Sequence, residues 1–486
     1  MRTSGPASGP SDTPDFRTAA HRLTDWIEAY RVRLTNLPVL PRVQPGDVEA
    51  VIPPRAPESP EDVESILADL DETIVPGLTH WNHPGFMAYF ASSASDPGIL
   101  AEFVTAALNV NAMLWRTSPA ATELESRMVD WVRDFVGLPD VFQGVIQDTA
   151  STSTFVALVA ARGRAVPGVR ELGLAGRSEL SGCTVYASRL AHSSLDKAAI
   201  AAGLGLVNVR HVDVDERYAM RADALHEALA QDRDDGKRPV MVCATVGTTS
   251  CTSCDPVAEI ADVCSLHDVW LHVDAAYAGP AASLPELRPL FDGWERADSI
   301  VLNPHKWMSV PIDCSVLMGR NLDEFRSSLA LTPEYLSSDT SASNLMDVGI
   351  ALGRRFRGLK LGFVFRWYGA EGLREMLQRH CDLAREFAAE MAADARVEVA
   401  APVPLSTVCF RAIPPAGHSE EDWNRRLLSA VNREGTIFLS HAELDGRFTI
   451  RLTIGSVHTE RSHVEAAWEC LTKALEHLQS DPATAR

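Results

Sequence analysis

Five short apolar runs, interleaved with helical stretches, constrain the fold of this chain more than any other feature. "GVIQ" at 144–147 leads into "TSTFVALVAARGR", "CTVYAS" at 183–188 into "SLDKAAIAAGL", and "PVMVCAT" at 239–245 into "DPVAEIADVCSLHD". "VWLHVD" and "SIVLN" follow, ending at Asp274 and Asn303. Runs this short, continuous in their hydrophobicity and rich in β-branched residues, read as strands buried on both faces. The helices between them supply the crossovers of a mostly parallel sheet, so the class expected is α/β. In such sheets ligands gather beyond the carboxyl ends of the strands.

The residues just past those ends are Thr149, Ala150 and Ser151, then His192, Thr245, Asp274 and Lys306. Each alone has an ordinary explanation: a helix cap, a satisfied polar group, a solvated amine. Together they ask for one ligand. A lysine beside apolar walls loses charge and becomes a nucleophile toward carbonyls, and His305 and Trp307 flank Lys306 in "NPHKW". A carboxylate at a buried strand end needs a cationic or N–H partner. Small hydroxyl residues opening a helix, as in "TASTST", offer free N–H groups and the positive end of the helix dipole to an anion. An amine for an aldehyde, a carboxylate for a pyridinium and a cradle for a phosphate describe pyridoxal 5′-phosphate. No G-x-G-x-x-G follows a strand and no Walker-type loop is present, so the dinucleotide and ATP readings fall away.

The formal charge of −20 disfavours nucleic acid or an anionic membrane as the main partner. No apolar run approaches the roughly 20 residues that span a bilayer, and the Gly/Ser/Pro-rich start lacks the apolar stretch of a signal peptide. With nine irregularly spaced cysteines, a reduced, cytoplasmic protein is expected. Cys251 and Cys254 form an isolated C-x-x-C, better read as small core-edge thiols than as a redox or zinc pair. Texture divides the chain into a disordered lead over 1–14, a helical arm over 15–90, a large cofactor-binding domain over 91–365 and an α+β small domain over 366–486. The first helical pattern of the arm has little nearby to bury its face and is expected to pack on a second subunit.

The segments "HPGFMAYF", "SPAATELESRMVDW", "GVIQDTASTSTFVALVAAR", "AHSSLDKAA", "CATVGTTSCTSCDP", "WLHVDAAYAG", "NPHKW" and "LGRRFRGLKLGFVFRWYG" carry a resemblance. They are similar, in order and over most of the chain, to the group II pyridoxal-phosphate-dependent amino-acid decarboxylases, the family of the aromatic-L-amino-acid and histidine decarboxylases. The resemblance implies an aspartate-aminotransferase-type (fold type I) architecture and a homodimer with active sites at the interface. It implies Lys306 as the lysine that bonds the cofactor aldehyde, Asp274 as the partner of the pyridine nitrogen, His192 as the imidazole stacked on the ring, and Ala276 as the small residue on its other face. Thr245 matches a hydroxyl near the ring; Thr149, Ala150, Ser151 and Asn303 match phosphate contacts, with His305 beside the lysine. Tyr89 joins Lys306 and His192 as a catalytic candidate, and Ser92 and Trp81 fall near the substrate.

Three departures matter. The family's mobile loop carries a tyrosine that protonates the carbon left when carbon dioxide departs. Here the loop reads "SSDTSASNLMDVGIA", shorter and without tyrosine, and Leu345 falls about where that residue would be. Either another donor (Tyr89, His192 or water) completes an amine-forming decarboxylation, or molecular oxygen enters as co-substrate and the product is an aldehyde, by oxidative deamination. The reading leans to the aldehyde. A β-eliminating C–S lyase on a cysteine S-conjugate of secondary metabolism is the enzymatic rival, and a non-catalytic scaffold the rival of another class. Second, Asn111 and Met113 stand where aromatic-specific members bring an apolar and an aromatic residue from the neighbouring subunit, and Arg116 follows, so a polar L-amino acid is expected. Third, Asp148 replaces a glycine of the phosphate loop and is expected to face outward or to cap the helix.

Overall fold

A computed structural model describes residues 15–177, 182–331 and 344–480; the expected lead over 1–14 lies outside the described residues. The central sheet has seven strands: β1 (Gln143–Gln147), β2 (Cys183–Ser188), β3 (Val209–Val212), β4 (Arg238–Thr245), β5 (Trp270–Asp274), β6 (Ser299–Leu302) and β7 (Ser315–Gly319). Their order across the sheet is β1-β7-β6-β5-β4-β2-β3. The pairs from β6 through β5, β4 and β2 to β3 are parallel, whereas β7 runs antiparallel between β1 and β6. The α/β class is thus as expected; β3 and β7 are additions. β7 escaped sequence reading because no helix separates it from β6, so it lacks the alternation that marked the others.

The apolar runs are continuous because both faces are covered. Along β4, Val242 and Ala244 join the core on one side of the sheet and Met241 and Cys243 the core on the other, the period of two that a pleated strand imposes. The first core takes in the helix Pro119–Val136, the second the helix Ala150–Ala165. Register then sets the site: Thr245 pairs with Asp274, and Asp274 with Val301, so β4, β5 and β6 end almost flush at the same edge.

A second, antiparallel sheet has the order β10-β11-β9-β8, with β8 Val397–Val399, β9 Thr407–Ala412, β10 Ser440–Leu444 and β11 Arg447–Thr453. It is reached through the long helix Gly358–Ala392, which kinks at Gly369, where φ is 67° and glycine carries no Cβ to object. The first helix, Phe16–Arg33, buries none of its residues and is tied down through Arg31–Asp96 at 2.5 Å and Arg22–Glu64 at 2.6 Å. The end of that arm is stitched into the second sheet, Met87 N donating to Phe438 O at 3.0 Å and Thr453 N to Met87 O at 2.8 Å. Among the described residues no helix is long and apolar enough to cross a membrane. All nine cysteines are free, and Cys251 is buried.

Candidate active site

Beyond the flush ends of β4, β5 and β6 lies a cavity of about 160 Å³. Ten residues read from sequence as cofactor contacts line it together: Thr149, Ala150, Ser151, His192, Thr245, Asp274, Ala276, Asn303, His305 and Lys306. Phe90, Gly247, Thr249 and Tyr277 complete the wall. Lys306 arrives there because β6 ends at Asn303-Pro304 and turns, Lys306 N donating to Asn303 O at 2.9 Å. Burial pulls the lysine below its ordinary value; Asp274 opposes this and Arg451 adds to it.

Asp274 is 7 % exposed, and its Oδ1 accepts from Ala276 N at 3.0 Å, which fixes the carboxylate plane. His192 Nδ1 accepts from Ser194 N at 3.1 Å, so the neutral ring carries its proton on Nε2. Burial lowers this histidine below 6.5, with Asp274 opposing and Lys306 assisting. His305 Nδ1 accepts from Cys314 N at 2.9 Å, and burial pushes that ring down to about 4. His305 is therefore uncharged at neutral pH, while the lowered pKa of His192, whose residue is partly open to solvent, favours its neutral form.

Two polar atoms at this wall, Thr245 Oγ1 and Asn303 Oδ1, are buried without a partner. Unpaired buried groups are costly and ask for a ligand. The helix Ala150–Ala165 opens at Thr149 with no side-chain cap, leaving its first N–H groups free. Ala150, Ala276 and Val301 form a small apolar floor. A flat ring bearing a hydroxyl and a phosphate matches these features, so the residues present fit pyridoxal phosphate. Asp148 is not among the residues that line the cavity: its Oδ1 accepts from Thr149 N at 2.5 Å and from Thr149 Oγ1 at 3.3 Å, a local bond at the helix entry.

Sequence reading missed the support beneath the lysine. Phe90 stacks on Tyr277 at 3.8 Å between ring centroids and Tyr277 on Trp307 at 4.6 Å, all nearly parallel, and Trp307 Nε1 donates to His380 Nδ1 at 3.0 Å. The Lys306 amine lies 5.3 Å from the Phe90 ring centroid. Arg451 was missed as well. Its guanidinium lies 4.7 Å from the same centroid, it is 2 % exposed, and its Nε and Nη2 are buried without partners. Its Nη1 donates to Tyr89 O at 2.8 Å. The available signal was an arginine on the Thr449–Thr453 face of an alternating strand, where a solvated face would have been the default reading.

Other candidates lie outside the cavity. Tyr89 is 51 % exposed, has a positive φ of 51°, and faces Trp81 at 6.2 Å; Ser92 is half-buried nearby. Asn111 and Arg116 are exposed on a loop with half-buried Met113. The Asn111 amide is already engaged, Oδ1 accepting from Arg354 N at 2.9 Å and Nδ2 donating to Met113 Sδ at 3.2 Å. Leu345 is 4 % exposed in the core beside β1, and the stretch 332–343 before it lies outside the described residues.

The chain matches the pyridoxal-dependent decarboxylase conserved domain over residues 45–413. It is 41 % identical to tryptophan decarboxylase 2 of Oryza sativa subsp. japonica, over 95 % of each chain. It is 39 % identical to phenylacetaldehyde synthase of Arabidopsis thaliana, over 98 % of this chain and 99 % of that one. The crystal structure of an Oryza sativa TDC with PLP and tryptamine superposes with a TM-score of 0.92 at 36 % identity, covering 97 % of this chain and all of that one.

Proposed function

Because the chain belongs to the group II pyridoxal-dependent decarboxylases, we propose that it decarboxylates an aromatic L-amino acid and couples this to oxidative deamination, releasing an aldehyde. The observation that carries the decarboxylase part is the cavity itself, which a half-buried lysine, a buried carboxylate and a free helix N-terminus line together. The aldehyde outcome is supported by the tyrosine-free stretch 337–351 and by the likeness to a phenylacetaldehyde synthase. The likeness to tryptophan and tyrosine decarboxylases favours an aromatic over a polar substrate, and the Asn111 amide is already partly engaged within the chain.

Bound pyridoxal phosphate would supply a protonated ring that accepts the electron pair freed when the bond from Cα to the carboxylate breaks. The residues of this chain prepare that event. The lowered pKa of Lys306 raises the fraction of neutral amine able to bond a carbonyl. Asp274 stands as the anion for a pyridinium N–H, and His192, its neutral form protonated on Nε2, lines the same cavity. The unpartnered N–H groups of Arg451 suit a substrate carboxylate. Phe90 and Tyr277 keep water from one wall. A second copy of the chain would complete the site. Leu100, Phe103, Val104 and Leu108 expose an apolar face on the helix Asp96–Leu108, and Asn111, Met113 and Arg116 follow it in the loop that would reach the partner's cavity. The same reading keeps the divisions 15–90, 91–365 and 366–486.

The balance to be tested is amino acid plus oxygen plus water giving aldehyde, carbon dioxide, ammonia and hydrogen peroxide. Purified enzyme supplied with tryptophan, tyrosine or phenylalanine should yield these in equal amounts. Carbon dioxide with amine and no peroxide would leave a plain decarboxylase. Thiol and pyruvate from cysteine conjugates, without carbon dioxide, would overturn the proposal in favour of the lyase.

His192 gives a pH prediction with a definite sign. Its pKa lies below 6.5, so the ring stays neutral until the pH falls beneath that value, where protonation sets a cation beside Lys306. The profile of kcat/KM should therefore carry an acid limb centred below 6.5, and His192→Gln should remove that limb as well as lower the plateau. An unchanged limb in the variant would assign it to another group.

A further inference from the structure

Outside the cavity, one buried ion pair binds four segments of the chain. Glu125, wholly buried in the helix Pro119–Val136, accepts through Oε1 from Ile146 N at 2.8 Å and from Arg354 Nη2 at 2.6 Å. Arg354, 7 % exposed, also donates through Nη2 to Ile146 O at 2.7 Å and through Nη1 to Ala112 O at 3.4 Å. Its backbone closes the arrangement. Arg354 N donates to Asn111 Oδ1 at 2.9 Å, and Arg354 O accepts from Ala112 N at 2.9 Å. Ile146 lies near the end of β1, just ahead of the Thr149–Ser151 cradle. Two more bonds knit the same segments: Met346 N to Met113 O at 3.2 Å, and Gln147 Nε2 to Val348 O at 3.1 Å.

A buried ion pair is poor evidence of stabilisation, because desolvating both charges offsets their attraction. Here Glu125 Oε2 is buried with no partner, a further cost. What the pair supplies is geometry. A planar guanidinium reaches Glu125, Ile146 O and Ala112 O at once, which the single ammonium of a lysine cannot reproduce.

We infer that Glu125 and Arg354 are a positioning pair that sets the 111–113 loop against the start of the Ala150–Ala165 helix, and so ties the cofactor cradle of one copy to the substrate wall of its partner's site. This rests on the reading of the 111–113 loop as a substrate wall. In the dimer, the pair aligns the phosphate cradle of one copy with the wall which that copy lends to the other. The pair touches neither cofactor nor substrate and acts through Ile146, Ala112 and Asn111.

Two variants of the full chain, Arg354→Lys and Glu125→Gln, test this by peptide-resolved hydrogen exchange, with and without added pyridoxal phosphate, alongside kcat and KM for tryptophan and tyrosine. Arg354→Lys should raise exchange at 111–115 and 144–149 together while the visible absorbance of bound cofactor is kept. Its kcat/KM should fall by roughly 10²-fold, the cost of about an ångström of misplacement, and the preference between the two amino acids should change. Glu125→Gln should show the same pattern, weaker. Exchange unchanged in both segments, or raised in one only, would overturn the inference, as would a loss equal for both substrates that merely tracks the folded fraction. If Arg354→Lys does not fold, Glu125→Gln decides by the same readings. A wild-type protein that releases no carbon dioxide would sink the functional reading, while the exchange pattern would still report on the pair.

Discussion

Lys306→Ala is expected to lower kcat by on the order of 10⁴-fold or more, the scale on which an enzyme loses its covalent nucleophile. The same variant should fold normally. Its amine is enclosed beside Phe90, and the charged groups that bear on it are Asp274 and Arg451. Burial has lowered its pKa, so the amine opposes folding, fully below its folded-state pKa and not at all above the ordinary 10.5. Removing that group relieves the penalty, and the thermal midpoint should stay level or rise. Pyridoxal phosphate added to the variant should bind, through the free N–H groups at the Thr149–Ser151 helix start, without the visible absorbance that a bond to the lysine confers. Turnover within tenfold of wild type would remove Lys306 from its proposed place.

Asp274→Asn should cost less than this but more than any change at the substrate wall, roughly 10²- to 10⁴-fold in kcat. The amide oxygen can still accept from Ala276 N, so the turn after β5 survives. The negative charge is what disappears. Without it a pyridinium N–H has no counter-ion, and an uncharged ring is a poorer acceptor of the electrons released at Cα. The loss also has a titration signature. Asp274 raises the pKa values of both Lys306 and His192, so in the variant both should titrate at lower pH than in the wild type. The pH dependence of the rate at which cofactor-free protein forms the visible band with added pyridoxal phosphate checks the first, and the acid limb of kcat/KM the second. A full kcat with cofactor bound would show that another group protonates the ring.

How much of this was legible beforehand depended on what kind of interaction holds each residue. The strands β1, β2, β4, β5 and β6 were readable because burial on both faces demands uninterrupted apolar runs, and sequence records hydrophobicity directly. Their polar terminators were readable for the same reason, as breaks in those runs. Arg451 and the Glu125–Arg354 pair were not. Charged residues in strands and helices normally mark a solvated face, and only the packing of distant segments turns these into buried groups with fixed partners. Phe90 and Tyr277 looked like ordinary core aromatics until the fold stacked them at 3.8 Å beside the lysine. Leu345 was read by its place in a loop, yet it packs into the core against the sheet.

The sequence by itself determined the cofactor chemistry, because Thr149–Ser151, Asp274 and Lys306 are each fixed at a strand end by local hydrophobic patterning, and a strand end in a parallel sheet has one possible address. The tertiary structure alone decided which side chains are free to meet a substrate. Asn111 reads as a polar contact in the sequence, but Arg354, far along the chain, comes back to claim its amide oxygen. That bond spans 243 residues, takes one of the two acceptor positions of the amide oxygen and orients the side chain, and no local pattern can report such a commitment.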